Sequence, residues 1–494
     1  MAPSKTAETA AVVLRERLLS VSAGLGQAVR WVRRERFPGL PSDVDEGLPA
    51  LSLPTASDPD VSIVIPAYGK CATTWACLQS LAQAKTDVPF EVIVVDDASP
   101  DRTARVLSSV GGLKLHENPK NLGFIGSCNV GADLAKAKWL CLLNNDTRVT
   151  DNWLDELVAT FEQHPEAGMV GARLLFPDGR LQEAGGTVFR DGSTSHFGRN
   201  RDPARPEFGF VREVDFCSGA CLLLPRSLYR ELGGFDAHYA PAYCEDVDLA
   251  FRVRARGLSV LYQPLCRVVH YEGVTHGRDL DRGVKRYQRI NRDKLRARFQ
   301  ETLRASHPAP GRRTAVAADR RLGPGLLVLS PDAASATELS AAPTRFASLP
   351  RLRALRKLGW KVAVFARNGL PLDYARGGIE TLGPPYVSSK LSPIVGSRAA
   401  TLDVCWCDDG PFVAILHEVI RVTAGHLKSV VSVGAVGELG EQGLARVASA
   451  DLIVAPDADN AAALQARAPA LNVISATVSD EDLACALRAL TERR

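Results

Sequence analysis

No apolar stretch in this sequence approaches the roughly 20 residues that a membrane-spanning helix needs. A secretory leader is not expected either, because Arg15, Glu16 and Arg17 interrupt what would be its apolar core. The eleven cysteines are an odd number with no CxxC pair, so they do not read as a disulfide framework. Cys141, Cys221 and Cys405 sit inside apolar runs, where cysteine behaves as a small hydrophobe, and a reducing cytoplasm fits best. Excess charge is also missing: 60 Lys and Arg face 56 Asp and Glu, a net +4 too mild to argue for nucleic acid. There is no GxGxxG fingerprint and no P-loop, which argues against an NAD-dependent sugar-modifying enzyme. No short-period repeat is present. These absences leave a cytoplasmic or membrane-surface protein.

At 494 residues, 46% hydrophobic and 23% charged, the chain can build two to four domains with large cores. Residues 8–36 read as a helix ending in the basic cluster "RWVRRERF", either a solvated helix or one lying on anionic lipid. A Pro-, Ser- and Asp-rich arm follows, so residues 1–58 form an N-terminal helix and linker. From residue 61, buried β-branched runs alternate with helices: "VSIVIPAY", "FEVIVVDDAS" and "KWLCLLNNDT". That alternation predicts an α/β fold with a mostly parallel sheet over 59–305. Such sheets bind ligands at the carboxyl ends of their strands. Here those ends carry Pro66-Ala67-Tyr68, Asp96-Asp97 and Asn144-Asn145-Asp146, which one crevice can collect. A basic helix spans 282–304 and a linker 306–322. A second doubly wound, Rossmann-like domain over 323–494 runs through "GLLVLS", "KVAVFA", "DVCWCDD", "VVSVG" and "DLIVAP".

Several polar residues at these strand ends have chemistry to offer. Asp96 and Asp97 can accept hydrogen bonds from ribose hydroxyls or a base edge, or cap a helix. Asp146, directly after a buried strand, can hold Mg²⁺ or Mn²⁺ against a diphosphate, or form an Asx turn. His270 ends the strand in "CRVVHYEGVTHG", where it is a structural histidine or a second metal contact. Gly123, Gly126 and Gly131 in "KNLGFIGSCNVGADLAKA" would let backbone approach a ligand.

The densest acidic stretch is "YCEDVDLAFRVRARG", residues 243–257. On a helix, Asp246 shares a stripe with Leu249, Ala250 and Val253. It therefore faces the protein, where desolvation raises its pKa towards that of a useful base. Asp248 falls on the other side, four residues before Arg252, and an exposed ion pair is expected. Glu245 and Asp248 read as first-turn acids favoured by the helix dipole.

Taken together and in this order, "VSIVIPAYGK", "EVIVVDDASPDRT", the stretch from "NPKNLGF" to "NWLDEL", the stretch from "FCSGACLLLP" to "RVRARG", and "VVHYEGVTHG" resemble the family 2 glycosyltransferases of GT-A fold. The resemblance is narrower to bacterial rhamnosyltransferase-type enzymes of polysaccharide and O-antigen assembly, and it covers roughly residues 60–300. It implies a donor site for a nucleoside-diphosphate sugar at Pro66, Tyr68, Asp97, Asn121, Asn129 and Asn145. It implies a Mg or Mn site at Asp146, the end of the DxD-equivalent, and at His270. It makes Asp246 the base that deprotonates a glycan or polyprenyl-linked acceptor, with inversion at the anomeric carbon. Asn144 stands where the first DxD acid is usual, which weakens the metal site. The second domain resembles the N-terminal half of a GT-B glycosyltransferase, in degenerate form. Asp408 and Asp409 there read as solvated loop acids. dTDP-rhamnose is the implied donor, and the implied place is the cytoplasm, with peripheral contact at the inner membrane face through the basic segments. The competing reading is a scaffold that binds glycan or nucleotide without turnover.

Overall fold

A computed structural model describes residues 35–40, 48–272, 286–310, 323–330, 348–366, 372–382, 402–408, 416, 427–433 and 441–492. Most of the helix expected at 8–36, the start of the basic helix at 282–285, most of the 306–322 linker and Asp409 lie outside the described residues. The chain divides into two compact units, one over 34–204 and 211–320 and the other taking in 205–210 and 321–494.

The first unit opens with β1 (Val61–Ala67), α1 (Cys71–Gln83), β2 (Phe90–Asp96), a short α2 (Thr103–Leu107), β3 (Leu113–Glu117), α3 (Gly123–Leu134) and β4 (Trp139–Leu143). β1 and β2 are buried at every position, as strands covered on both faces must be. Strands β3, β2, β1 and β4 lie side by side and parallel. The chain continues through β5 (Thr147–Val149), α4 (Trp153–Gln163), β6 (Ala167–Leu175), β7 (Leu181–Glu183), β8 (Gly186–Val188), β9 (Thr194–His196), β10 (Arg212–Glu213), β11 (Cys221–Pro225) and α5 (Arg226–Glu231). It closes with α6 (Glu245–Ala255), β12 (Ser259–His270), α7 (Tyr287–Arg298) and α8 (Gln300–Ser306).

The sheet is mixed rather than mostly parallel. β11 runs antiparallel to both β4 and β6, β12 runs parallel to β6, and β5 folds back antiparallel on β12. The runs in "VSIVIPAY" and "CLLLP" are equally apolar, and strand direction is set by connections that periodicity does not encode. The basic helix is likewise two helices, broken at Phe299.

One glycine expected to serve a ligand serves packing instead. A Cβ on Gly131 would lie 2.2 Å from Val64 Cγ1, so α3 reaches β1 only because the side chain is missing.

The second unit is a seven-stranded, all-parallel sheet of β13 (Gly325–Ser330), β14 (Lys361–Ala366), β15 (Glu380–Leu382), β16 (Val404–Asp408), β17 (Lys428–Ser432), β18 (Leu452–Ala455) and β19 (Val473–Ser475). Its order is β15-β14-β13-β16-β17-β18-β19, with the reversal at β13 and β16. Alternate residues of β13 feed two cores: Leu327 and Leu329 one, Leu326 and Val328 the other. Helices cover both faces, as a doubly wound sheet requires. Among the described residues, no helix is long and apolar enough to cross a membrane.

Candidate active site

The strand ends of the parallel half open into one cavity of about 800 Å³, a size suited to a small organic ligand. Pro66 and Tyr68 come from the end of β1, Asp97 from β2, Asn144, Asn145 and Asp146 from β4, and Asn121 from the loop before α3. Tyr68 is 47% exposed at this wall. Asp97 is buried and caps a helix other than the one that follows it. Its carboxylate accepts the N–H groups of Leu122 at 2.7 Å and Gly123 at 2.8 Å, and Asn118 Nδ2 at 2.8 Å. Asn145 Nδ2 donates to Thr74 Oγ1 at 3.0 Å.

Asn129 does not belong to this lining. Its Oδ1 accepts the Tyr229 hydroxyl at 2.6 Å and the Phe235 N–H at 2.9 Å, while its Nδ2 donates to the Phe235 carbonyl. The amide is spent on the turn that leads from α5 towards α6.

Asp146 and His270 meet because β5 pairs with β12, which sets Thr147 opposite His270. His270 Nε2 lies 3.2 Å from Asp146 Oδ1, and its Nδ1 lies 2.9 Å from Gln182 Oε1. Since an amide oxygen only accepts, Nδ1 carries a proton, and Nε2 is the nitrogen available to a cation or to Asp146. Burial opposes the charged imidazole, yet the Asp146 carboxylate outweighs it and raises the His270 pKa. Asn144 Oδ1 is buried with no hydrogen-bond partner. An amide oxygen, a carboxylate and an imidazole at one rim fit Mg²⁺ or Mn²⁺ that takes its remaining ligands from phosphate or water. Among the described residues no cluster of three His, Cys, Asp or Glu side chains is placed to hold a metal.

The acidic stretch folds differently from its helical-wheel reading. Tyr243 and Cys244 take consecutive left-handed conformations, φ 76° and 71°, and turn the start of α6 into the cavity wall. Strain of this kind in non-glycine residues persists only where surrounding structure fixes it. The fixing residue is Asn291 of α7, whose Nδ2 donates to the carbonyls of Tyr239, Ala242 and Tyr243. Asp246 lines the cavity with Oδ2 accepting Gly219 N–H at 3.0 Å and Oδ1 accepting Val247 N–H at 2.8 Å. Burial raises its pKa and the two N–H groups restrain the rise.

Glu245 is a first-turn acid of α6, and a buried one. It is 6% exposed, lines the cavity, and leaves Oε2 without a partner. Burial and the neighbouring Asp246 push its pKa well above the carboxylate range. Asp248 is not in an exposed ion pair. It is fully buried, with Arg252 Nε 2.6 Å from Oδ2 and Arg298 Nη1 3.0 Å from Oδ1 without hydrogen-bond geometry.

Two further groups line the cavity that no sequence motif announced. One is a pair, the buried Glu183 with the half-buried His196. The other is the edge of α7, where Gln288, Arg289 and Arg292 face the cavity. The charge run of 282–304 pointed to α7 as basic but not to its orientation. Lys294 donates to the His238 carbonyl and Arg298 pairs with Asp236, so much of this helix binds the protein itself.

Residues 62–233 match the family model of glycosyl transferase family 2, so the chain contains a domain of that family. The first unit has an α/β glycosyltransferase fold, with a mixed sheet. The O-antigen biosynthesis protein RfbC of Myxococcus xanthus is 35% identical over 238 residues, which cover 46% of this chain and 18% of that protein. An N-acetylglucosaminyl-diphospho-decaprenol L-rhamnosyltransferase of Mycobacterium tuberculosis is 28% identical over 225 residues, 41% of this chain and 73% of the relative. The chain thus spans under a fifth of the first of these relatives. A solved mannosyltransferase from Pyrobaculum calidifontis, in complex with GDP-Man and Mn²⁺, is 18% identical with a TM-score of 0.35, covering 61% of this chain and 77% of its own.

Proposed function

We propose that this chain is an inverting glycosyltransferase that moves a sugar from a nucleoside-diphosphate donor to a hydroxyl of a glycan or polyprenyl-linked acceptor, in cell-surface polysaccharide synthesis. One observation carries the reading. A single cavity gathers the strand ends suited to a nucleotide and a carboxylate, Asp246, held by two backbone N–H groups with its pKa raised. The name of the mycobacterial relative supports rhamnose, and dTDP-rhamnose is the first donor to try. The reading places the protein in the cytoplasm, at the inner membrane face where a lipid-linked acceptor is met.

Asp246 takes the proton of the acceptor hydroxyl. The freed oxygen attacks the anomeric carbon from the side opposite the phosphate, the bond from that carbon to the phosphate oxygen breaks, and its electron pair leaves with the nucleoside diphosphate. Inversion follows from one such displacement. Pro66, Tyr68, Asp97, Asn121 and Asn145 hold the donor, and Arg289 and Arg292 place positive charge on the same cavity wall for the departing diphosphate. Asn144, Asp146 and His270 would hold Mg²⁺ or Mn²⁺. The bound cation supplies charge neutralisation of the diphosphate. The second unit takes no part in these steps and is assigned no transferase activity of its own.

The test is donor turnover by the full chain with dTDP-, UDP- and GDP-sugars and Mn²⁺ or Mg²⁺, with and without chelator, reading nucleoside diphosphate release. Asp246→Asn should retain donor binding and lose about 10²–10⁴-fold in rate, the range for a positioned general base. Unchanged turnover removes Asp246 from the mechanism. Donor binding with no turnover by the wild type points to a missing acceptor, and the absence of both binding and turnover favours a non-catalytic scaffold.

A further inference from the structure

We infer that His196, held by Glu183, binds the acceptor sugar and orients its hydroxyl towards Asp246. The inference rests on the transfer reading above and adds the acceptor side of the same cavity.

Glu183 ends β7 and His196 ends β9, and both line the cavity. Glu183 is 1% exposed, and a carboxylate that deep must be fully paired. Its Oε1 accepts the Ser218 N–H at 2.9 Å, and its Oε2 is hydrogen-bonded to His196 Nδ1. The next peptide N–H along the chain, that of Gly219, donates to Asp246 Oδ2. Two successive peptide groups therefore hold two carboxylates from separate elements, Glu183 through Ser218 and Asp246 through Gly219. The dyad and the base are fixed to each other by one rigid piece of backbone.

The ring's second nitrogen is the one on offer. Glu183 takes Nδ1, and Nε2 has no hydrogen-bond partner among the described residues. The His196 side chain is 36% exposed, in contrast to Glu183 beneath it. Phe216 meets the imidazole edge-on, with centroids 6.0 Å apart, and limits its rotation. Phe216 itself fits only because residue 186 is glycine: a Cβ there would lie 2.1 Å from Phe216 Cε1. Although burial opposes it, the Glu183 carboxylate raises the His196 pKa and favours a charged N–H donor at Nε2.

The acceptor is the partner that this placement selects. The groups assigned to the donor come from the ends of β1, β2 and β4 and the loop before α3, and the cation's from β4 and β12. The dyad shares its anchor with Asp246 instead, and the group on which Asp246 acts is the acceptor hydroxyl. An N–H donor there suits a hydroxyl or acetamido oxygen of a pyranoside neighbouring the hydroxyl that reacts.

The experiment separates water from sugar as the acceptor. The full chain is assayed for nucleoside diphosphate release from its donor without acceptor, then with a short alkyl-diphospho-N-acetylglucosamine as the acceptor probe. For His196→Ala the expected result is an acceptor KM raised about 10- to 100-fold, well beyond any change in donor hydrolysis, the loss of one charge-assisted hydrogen bond. His196→Gln, which keeps an N–H donor on a side chain of similar reach, should recover part of that loss. Glu183→Gln should raise the acceptor KM as His196→Ala does. An unchanged acceptor KM in His196→Ala overturns the inference, as does an equal loss of hydrolysis and transfer, the mark of a general structural role. A wild type that turns over no donor removes the transfer reading, and the inference falls with it.

Discussion

Replacing Asp248 with alanine distinguishes the tertiary structure from the sequence pattern by a factor of about ten in energy. An exposed i,i+4 pair of Asp248 with Arg252 would be worth about 0.3–0.5 kcal/mol. In the fold Asp248 is fully buried and the Arg252 side chain is 15% exposed. Arg252 also donates to the carbonyls of Leu232 at 2.6 Å and Gly234 at 2.9 Å, so it cannot swing into water without breaking that turn. Alanine leaves this guanidinium buried without its anion, a change that costs about 3–5 kcal/mol. A unit of this size loses about 2–4 °C in melting temperature per kcal/mol, which gives about 6–20 °C. The assay is calorimetry of the full chain, with the transition of the second unit as the internal reference. Asp248→Asn, which keeps the shape and an oxygen acceptor, should fall less. A shift under about 2 °C for Asp248→Ala, the size expected of a surface pair, would refute the argument.

Other outcomes follow from the two acids before it. Glu245→Gln should raise the melting temperature, by about 0.5–2 kcal/mol in stability, because the folded state disfavours the ionised carboxyl; a lower melting temperature would count against the buried, neutral acid. Asp246 has a folded pKa raised above its unfolded value, so stability falls as pH rises from the unfolded pKa to the folded one. Asp246→Asn should therefore be at least as stable as the wild type at neutral pH, as a thermal melt would show. The same shift places the acidic limb of the transfer rate above the ordinary carboxylate range, with activity rising as Asp246 ionises. A limb at the pKa of a free aspartate would contradict its burial.

Much of the molecule is written locally. Fully buried β-branched runs at 61–67 and 90–96 announce covered strands, and polar residues at their ends announce a rim. The order of motifs from Pro66 to His270 pointed to the glycosyltransferase fold, and the alternation after residue 325 pointed to a doubly wound sheet. Residue type and spacing suffice for this, because burial period and turn chemistry act over a few residues.

What stayed hidden depends on partners far along the chain. Asn129 looks like a ligand contact until Phe235 and Tyr229 claim its amide. A helical wheel sets Asp248 opposite the core, and it does not show that α7 brings Arg298 over to bury it. Glu183 and His196 stand in no motif, and their meeting requires β7 and β9 to end at the same cavity. The sequence by itself determined the strands, their polar ends and the acid at the start of α6. Only the tertiary structure decided strand direction, which acids are buried, and which histidine is paired with Glu183, because those follow from long-range pairing and desolvation rather than from local spacing.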